Sequence, residues 1–491
     1  MCYPQSLRTH SAQLHRKIYH HPKLMLDMEK TANNWFVYRI TMVAAVGGLL
    51  FGYDTAVIAG AIGFLQANYQ LSSAMMGWIA SCAIIGCMVG AMFAGGLSDK
   101  VGRKKVLMLS AILFAVSSIG TAMPPNLTWF VVFRLIGGLG IGIASILGPM
   151  YITEIAPAAI RGRLVSINQL GIVSGILLIY FVNAGIAGLY DEAWNITTGW
   201  RWMFGSGIIP SVVFMLLLFF VPESPRWLAK KGQVEEPLAI LTRINGRGQA
   251  QLELDQIRAT LSEETGTLGE LFKPGLRKAL FIGVVLAILS QITGINAIMY
   301  YAPEIFKSTG DGSDSALLQT ILVGTVNLLF TIVAIKYVDN WGRKGLLLVG
   351  SAGMSVCLLI IGGAFYLELV KGYIVLVFIL AYIAFFAVSL GPLAFVIVAE
   401  IFPNRTRGRA MSICLSALWV AVFMVSQFFP ILLESIGSAY TFWIFMIMSV
   451  VTFVFVWRLV PETKGRSLEE IEQSWTTGHA ASQHPRPLVA K

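Results

Sequence analysis

Long apolar runs separated by short polar links make up most of the chain. Each run has about the 20 residues that an α-helix needs to cross a bilayer. The runs lack the strict apolar–polar alternation of barrel strands, so helices are the expected spanning elements. The predicted spans are 37–65, 74–97, 106–123, 127–152, 164–188, 201–221, 278–300, 316–338, 344–366, 372–400, 408–432 and 439–460. The pattern therefore predicts an all-α membrane protein with twelve transmembrane helices.

Basic residues are concentrated in alternate links between the predicted spans. These links contain Lys100, Arg103, Lys104, Lys105, Arg161, Arg163, Lys336, Arg343, Lys344, Arg405, Arg407 and Arg409. The links on the other side contain few cations, chiefly Lys307 and Lys371. Because cytosolic links carry the excess of Lys and Arg, both termini are predicted to lie in the cytosol. We expect a multi-pass protein of the cell membrane, either plasma or inner.

A polar gap divides the predicted spans into two groups of six. Residues 222–276 hold most of the soluble charge, and the segments EEPLAILTRI and AQLELDQIRATLSEE have helical spacing of apolar residues. The gap is therefore predicted to be a cytosolic helical linker that is too small for an enzyme domain. The other predicted units are a cytosolic tail at 1–34, six-helix bundles at 35–221 and 277–460, and a cytosolic tail at 461–491. Because Met25 and Met28 are alternative starts, the first tail is either native or translated sequence upstream of the true start.

Three short motifs occur once in each half at nearly constant spacing. The pairs are DKVGRK at 99–104 with DNWGRK at 339–344, PES at 222–224 with PET at 461–463, and EIAPAAIRGR at 154–163 with EIFPNRTRGR at 400–409. Repetition of all three makes a chance match improbable. It predicts two homologous six-helix repeats related by an axis along the membrane normal.

Composition supports a membrane protein and narrows its chemistry. Hydrophobic residues make up 56% of the chain and charged residues 13%, against about 25% charged residues in soluble proteins. The basic links explain the net charge of +10, so we predict contact with a lipid bilayer and no nucleic-acid partner. The five cysteines lack metal-ligand spacing and all six histidines lie in the tails, so we predict no metal site and no cofactor.

Two charged side chains lie deep inside the apolar segments of predicted spans. Asp54 is the only charged residue between Ile40 and Leu65, and Arg134 lies in the apolar segment WFVVFRLIGGLGIGIAS. A charge at the bilayer centre costs about 2.5–3.5 kcal/mol on insertion scales. Asp54 and Arg134 are therefore predicted to pair, and protonation of Asp54 would break the pair and shift a conformational equilibrium. A static structural pair is the alternative.

The repeated motifs predict further ion pairs at the cytosolic ends of the spans. Glu154 and Glu400 are expected to pair with the arginines of the two G-R-K turns and to hold the cytosolic ends of each half together while the outside is open. The predicted gating residues are Asp99, Arg103, Glu154, Arg163, Asp339, Arg343, Glu400 and Arg409. Under this hypothesis, replacing Glu154 or Arg103 by Ala changes the transport rate more than folding. The alternative is that the pairs only anchor helix ends.

The same motifs resemble those of the sugar porter family of the major facilitator superfamily. They are D-x-x-G-R-K and E-x6-R-G-R in both halves, PESPRW at Pro222–Trp227 and PETKG at Pro461–Gly465. The resemblance extends from about Trp35 to Trp475. In GGLLFGYDTAVI and GINAIMYYAPEIF it is greatest to the bacterial D-xylose–proton symporters. It implies the major facilitator fold, with twelve transmembrane helices in two six-helix repeats.

The resemblance also implies a function. It implies proton-coupled import of a monosaccharide, a pentose or hexose such as D-xylose or D-glucose, by alternating access and without enzyme activity. It assigns proton coupling to Asp54 and Arg134. Uncoupled facilitation of a sugar or polyol is the main alternative, followed by drug efflux and by sugar sensing without transport. We expect the protein to be a monomer.

Amide side chains within the spans are the candidate sugar ligands, because an amide both donates and accepts while an aromatic face covers the C–H surface of a sugar. The residues of this kind that match sugar-contacting positions by resemblance are Gln169, Gln291, Asn296, Tyr300, Asn327 and Trp419. Phe51 and Phe395 complete the predicted set, and Phe395 stands where a tryptophan is usual. For each amide, a hydrogen bond between helices is the alternative. Gly391–Pro392 is predicted to bend the tenth span beside the sugar.

The chain departs from the family pattern at several positions. Gly207 stands where some members carry an acid in the sixth span. The resemblance therefore does not define the proton path beyond Asp54. Ile176, Ser290 and Leu418 replace glutamines of the xylose pattern. Because these amides are absent, a hexose or a deoxy sugar is an alternative to xylose as the substrate.

Overall fold

The computed structural model describes residues 34–157, 160–261, 268–273, 276–310, 312–370 and 373–464. Every regular element in this part of the chain is helical. The first half contains α1 Asn34–Tyr69, α2 Ser73–Val101, α3 Arg103–Ala122, α4 Leu127–Ile155, α5 Arg161–Ala187, α6 Glu192–Trp194, a π-helical turn Asn195–Gly199, α7 Trp200–Gly205 and α8 Ile208–Phe219. The linker contains α9 Pro225–Lys230, α10 Glu235–Asn245, α11 Arg247–Leu261 and a 3-10 turn Leu268–Phe272. The second half contains α12 Leu276–Ile292, α13 Ile295–Lys307, α14 Ser313–Trp341, α15 Arg343–Tyr366, α16 Ile374–Val388, α17 Leu390–Glu400 and α18 Asn404–Leu459.

Twelve membrane crossings can be assigned within the described residues. Eleven segments are long and apolar enough to cross a membrane. The last helix, α18, has 56 residues, and Gly437 interrupts its helical backbone with a φ of 81°. One crossing needs about 20 residues, so α18 supplies two. The sixth crossing begins at Glu192 rather than at residue 201, where the sequence predicts its start.

Two of the crossings contain a break that the backbone explains. Gly294, with a φ of 98°, separates α12 from α13. The tenth crossing breaks at Ser389, ahead of the predicted bend at Gly391–Pro392. Pro392 has no N–H to donate to the carbonyl oxygen of Val388 one turn earlier, so the helix ends at Val388. The proline therefore acts on the turn that precedes it.

Each half is built from packed helix pairs, and the two halves then pack on each other. In the first half α1 packs along α5 and α2 along α4, while in the second half α12 and α15 pack along α18. Between the halves, α2 packs on α18, α5 on α14 and α1 on α13. Of these helices, α1, α5, α13, α14 and α18 all carry predicted sugar residues. The helices that meet between the halves thus carry most of the predicted sugar residues.

Helices α1 and α5 approach each other so closely that two positions require glycine. A Cβ on Gly52 would collide with the carbonyl oxygen of Ile172, and a Cβ on Gly175 would collide with that of Leu49. Small residues at such contacts let helix backbones touch in a membrane. The two glycines therefore fix the distance between α5 and the helix that carries Asp54.

The two halves are joined on the side away from the linker. We call the side with α9–α11 the linker face and the other side the opposite face. Toward the opposite face, Oε1 of Gln427 accepts a hydrogen bond from Oγ of Ser81 at 2.9 Å, and Nε2 of Gln427 donates to the Ala74 carbonyl oxygen at 3.0 Å. Oγ of Ser313 donates to Oε1 of Glu192 at 3.2 Å. These bonds join the two halves on the opposite face.

The linker forms a small helical unit of its own. Ile240, Leu241 and Ile244 lie on one face of α10 and are buried. Leu241 packs with Ala250 and Leu254 of α11 in a separate apolar core. The helical spacing of apolar residues in this segment thus corresponds to two amphipathic helices, α10 and α11.

Replacing Gly52 by Ala should lower the stability of the protein. The added methyl group has no room beside Ile172, and overpacking of this kind costs about 1–3 kcal/mol. We expect a lower midpoint of thermal unfolding in detergent. The matched control is Gly95→Ala, because nothing lies within 4 Å of a Cβ at Gly95 and alanine favours a helix. Equal midpoints for the two variants would contradict the close contact of α1 and α5.

Candidate transport site

Asp54 on α1 and Arg134 on α4 form an ion pair inside the first half. Nη1 of Arg134 donates to Oδ2 of Asp54 at 3.2 Å and to the backbone oxygen of Asp54 at 3.2 Å. Arg134 is 1% exposed and Asp54 is 9% exposed. The guanidinium also lies over the Phe204 ring, 5.5 Å from its centre. The structure thus brings together the two charges that the sequence places in apolar spans.

This pair leaves hydrogen-bonding capacity unused. Among the described residues, Nε of Arg134 and Oγ of Ser117 are buried without a hydrogen-bond partner. A guanidinium has five N–H donors, and here Nη1 makes the contact with the carboxylate. A single contact is weaker than the bidentate arrangement that arginine forms with carboxylates elsewhere. Such a pair can be separated by protonating the carboxylate.

Gln291 and Asn296 lie on the two sides of the break between α12 and α13. Gly294 occupies the left-handed region there, and the Phe445 ring fills the space that a Cβ would need. Nδ2 of Asn296 donates to Oε1 of Gln291 at 2.7 Å, and Nε2 of Gln291 donates to Oγ of Ser290 at 3.0 Å. The break therefore joins two predicted amides in one pair, which keeps a carbonyl oxygen and N–H groups for a ligand.

Phe51 and Trp419 bring one aromatic ring from each half into contact. Their ring centres are 5.9 Å apart. Trp419 is 6% exposed, and its Nε1 is buried without an acceptor among the described residues. A buried indole N–H ordinarily has an acceptor, and a sugar hydroxyl is one. These two rings thus suit the apolar face of a sugar with one donor beside it.

The other four predicted sugar residues differ in exposure and are not joined by side-chain hydrogen bonds in the described structure. Gln169 and Asn327 are half-buried, Tyr300 is buried, and Phe395 is 42% exposed. In the described part of the chain, no side-chain hydrogen bond joins these four residues to one another or to Gln291. The structure therefore joins two predicted amides in one pair and two predicted rings in another, and these four residues belong to neither pair.

Arg103, at the start of α3, is the centre of a bonded cluster on the linker face. Its Nε and Nη2 both donate to the Glu154 carboxylate at 3.0 Å. Its Nη1 donates to Asp99 at 2.8 Å and to the Ser98 carbonyl oxygen at 3.1 Å. Nζ of Lys230 donates to the other carboxylate oxygen of Asp99 at 2.9 Å. The cluster therefore ties α2, α3 and α4 to the linker.

The second half repeats the central pair in a looser form. Nη2 of Arg343 donates to Oε1 of Glu400 at 3.2 Å. Both predicted pairs are present, and each lies within one half, so neither of them joins the two halves. The side chain of Asp339 lies outside the described residues.

Arg163 and Arg409 do not take part in these pairs. Arg163 is exposed and Arg409 is half-buried, and neither forms an ion pair with a described residue. The neighbouring Arg161 and Arg407 instead donate to backbone oxygens five residues earlier, each at 3.3 Å. The R-G-R motif therefore closes a turn through its first arginine, which the motif alone does not reveal.

Two glutamates with no role predicted from the sequence cap helices of these clusters. Oε1 of Glu223 accepts from the backbone N–H groups of Arg103 at 2.9 Å and of Lys104 at 3.2 Å. Glu462 makes the corresponding two bonds at the start of α15, both at 3.1 Å. A carboxylate at a helix N-terminus satisfies free N–H groups and opposes the helix dipole. The recurrence of P-E-S and P-E-T was the signal that could have found them.

Comparison with known proteins identifies the family. A model of the family described as "Sugar (and other) transporter" matches residues 40–475. The chain belongs to this sugar transporter family. The family predicted from the repeated motifs is thereby confirmed, and it is a family of transporters rather than of enzymes.

Similar proteins agree with this assignment. The chain is 49% identical to an arabinose-proton symporter of Bacillus subtilis (strain 168), over 90% of this chain and 95% of that protein. It is 42% identical to a D-xylose-proton symporter of Escherichia coli (strain K12), over 91% of this chain and 97% of that protein. An inward-open structure of the xylose transporter XylE from E. coli matches with a TM-score of 0.80 and 41% identity, covering 89% of this chain and 100% of that one. The predicted all-α major facilitator fold is confirmed.

Replacing Arg103 by Ala should destabilise the first half. The change leaves the Glu154 side chain, which is 8% exposed, without its partner, and removing one member of a buried pair costs about 3–5 kcal/mol. We expect a lower unfolding midpoint and less protein that elutes as a single species in detergent. Arg163→Ala removes the same charge from an exposed position of the same face and should leave both unchanged. If Arg103→Ala slows transport while stability equals that of Arg163→Ala, the cluster is a gate rather than an anchor.

Proposed function

We propose that the chain imports a monosaccharide together with protons by alternating access. The observation that carries this proposal is the buried, singly bonded pair of Asp54 and Arg134. It occurs in a chain whose relatives are described as arabinose-proton and D-xylose-proton symporters. A buried carboxylate is costly in a membrane, and proton coupling gives it a use that uncoupled facilitation does not.

The pair would couple the proton to the conformational change. Deprotonated Asp54 attracts Arg134 and holds α1 against α4. Protonation removes the charge of Asp54, so the attraction is lost and Arg134 turns to other acceptors. A proton can shift the equilibrium between outward-open and inward-open states only because the two states bind it with different affinity. A single hydrogen bond holds the Asp54 carboxylate, so breaking that one bond is enough to make the proton affinities of the two states differ.

The sugar would bind at the contact between the two halves. Gln291 and Asn296 supply hydrogen bonds to hydroxyls, while Phe51 and Trp419 cover the apolar face. The full set of proposed ligands is Phe51, Gln169, Gln291, Asn296, Tyr300, Asn327, Phe395 and Trp419. A pentose is the first candidate, because the similar symporters are described for arabinose and D-xylose.

The described conformation corresponds to a state that is closed to the outside. Hydrogen bonds of Gln427 and Ser313 join the halves on the opposite face, and an inward-open structure is similar to the chain. In this proposal the linker face is cytosolic, in agreement with its excess of Lys and Arg. Both termini then lie in the cytosol, and one copy in the bilayer forms the transport unit.

The clusters on the linker face would stiffen each half. Arg103 binds two carboxylates within the first half, and Arg343 with Glu400 repeats the pairing in the second. A half that is braced at its cytosolic end can rotate as one body between the two states. In this way the predicted gating residues would affect the transport rate through the rigidity of each half.

Asp54→Asn should abolish proton-driven accumulation and spare sugar exchange. Asparagine carries no charge and takes up no proton, so the contact with Arg134 no longer responds to pH. Accumulation of radiolabelled arabinose and xylose in proteoliposomes under an imposed pH gradient should fall to equal concentrations inside and outside. Counterflow of the same sugars without a gradient should persist.

The matched control is Asp255→Asn, which removes an exposed carboxylate from the linker. This variant should accumulate sugar as the unaltered protein does. Accumulation by Asp54→Asn would contradict the coupling role. Uptake by the unaltered protein that does not depend on pH would instead identify an uncoupled facilitator.

A further inference from the structure

A buried hydroxyl group lies beside Asp54. Ser117 on α3 is 1% exposed, and its Oγ has no hydrogen-bond partner among the described residues. A Cβ built on Gly137 of α4 would overlap Oγ of Ser117 and lie 3.5 Å from Oδ2 of Asp54. Both oxygens therefore border the same methyl-sized space, which stays open because residue 137 is glycine.

The adjacent serine has a different neighbour. Oγ of Ser118 lies 2.6 Å from the position of a Cβ on Gly207, where the family pattern has an acid in some members. Ser118 thus occupies the space next to Gly207, and Ser117 faces the space next to Asp54. The chain has no carboxylate at position 207, so a hydroxyl is the polar group available there.

We propose that Ser117 is a positioning residue for proton coupling, which receives the carboxyl group of Asp54 once protonation has released it from Arg134. This inference rests on the proposed function. In the described state the carboxylate is held by Arg134 and Ser117 is unpaired. A protonated carboxyl group gains an O–H donor, and the Ser117 oxygen can accept from it. Ser117 then stabilises the protonated form selectively.

The charged and titratable groups around Asp54 determine the pH range in which its protonation can be tested through transport. Those that interact electrostatically with Asp54 are Arg134 on α4, Cys82 and Cys87 on α2, and Tyr300 on α13. Thiols, phenols and guanidinium groups titrate at about pH 8.5 or higher in model peptides. None of these group types changes charge between pH 5 and pH 8 in model peptides, so the variants are compared in that range.

The test is the pH profile of sugar uptake by Ser117→Ala in proteoliposomes. The loss of one hydrogen bond to the protonated form should move the pH of half-maximal coupled uptake down by about 0.5 to 1 unit. Counterflow without a pH gradient should be unchanged. The variant removes a hydroxyl that has no partner in the described state, so the stability of the fold should not decrease. Ser110→Ala is the matched control, because Ser110 is buried on the same helix and already donates to the Leu107 carbonyl oxygen at 2.7 Å.

The outcomes separate this inference from the proposed function. An unshifted profile in Ser117→Ala, with coupling still lost in Asp54→Asn, overturns the role of Ser117 alone. The same shift in Ser110→Ala also overturns it, because the effect then does not depend on the space beside Asp54. A pH-independent profile in the unaltered protein overturns both proposals.

A second feature, on the outer surface of the first half, is independent of coupling. A groove of about 670 Å³ lies on the linker face between the start of α1, the end of α8 and Arg243 of α10. Trp35, Met42 and Phe220 line it and are largely exposed. The groove is therefore largely apolar, and it lies beside the start of α1 and the end of α8.

Two arginines line this groove. Arg39 and Arg243 are both exposed, and neither forms an ion pair with a described carboxylate. The Arg243 guanidinium lies 4.3 Å from the centre of the Phe36 ring, which fixes it over the groove. Two cations that line one apolar groove match a phosphate group joined to an acyl chain.

We infer that this groove binds an anionic phospholipid, with its phosphate between Arg39 and Arg243 and one acyl chain along Met42. Arg243 belongs to the linker and Arg39 to α1. The lipid would therefore fasten the linker to the first half.

The test compares the double variant Arg39→Gln, Arg243→Gln with the control Arg226→Gln, Arg258→Gln, which removes two exposed charges elsewhere on the linker. Each protein is purified from nanodiscs with equal phosphatidylglycerol and phosphatidylcholine, and retained lipid is measured by native mass spectrometry. The unaltered protein and the control should retain one phosphatidylglycerol. The groove variant should retain about tenfold less, since each cation contributes independently to the attraction.

Equal retention by the groove variant and the control would overturn this inference. Equal retention of the two lipids by the unaltered protein would also do so. If lipid binds only after removal of residues 1–33, the tail is the occupant and the inference is wrong.

Discussion

The mutual dependence of two buried charges, Asp54 and Arg134, governs the transport site. Neither charge is tolerable alone at that depth, so the helices that carry them must be held in register. The backbone contact at Gly52 and Gly175 holds α1 against α5, and the Phe204 ring covers the guanidinium. The packing of the first half can thus be understood as the surroundings that this one pair requires.

The difference between Arg134 and Arg103 shows how the same residue type serves two purposes. Arg103 donates to Glu154, Asp99 and a carbonyl oxygen, so protonating one carboxylate leaves it well bonded. Arg134 contacts the Asp54 side chain once and keeps a buried Nε without a partner. The saturated arginine is suited to hold helices together, whereas the unsaturated one can respond to a single proton.

The sequence predicts those features that depend on local composition or on the cost of isolated charge. Twelve spans follow from hydropathy, and the pairing of Asp54 with Arg134 follows because these two charges lie deep within apolar spans of the first half. The break at Gly294 could not be predicted in this way, because many glycines occur in the spans and the sequence does not show which of them adopts a left-handed backbone. The recurrence of P-E-S and P-E-T marks Glu223, but its capping contact spans 120 residues, and the motif does not reveal which helix it caps.

The position of Phe51 suggests a short physical path between sugar and proton. Phe51 precedes Asp54 by three residues on α1, so the two side chains belong to one helical turn. Phe51 contacts Trp419 of the other half, while Asp54 contacts Arg134 of its own half. A sugar that displaces or completes the Phe51–Trp419 contact acts on the same turn whose position the ion pair controls. Under the proposed function, coupling then needs no relay through distant residues, because both ligands bias one element with two arrangements.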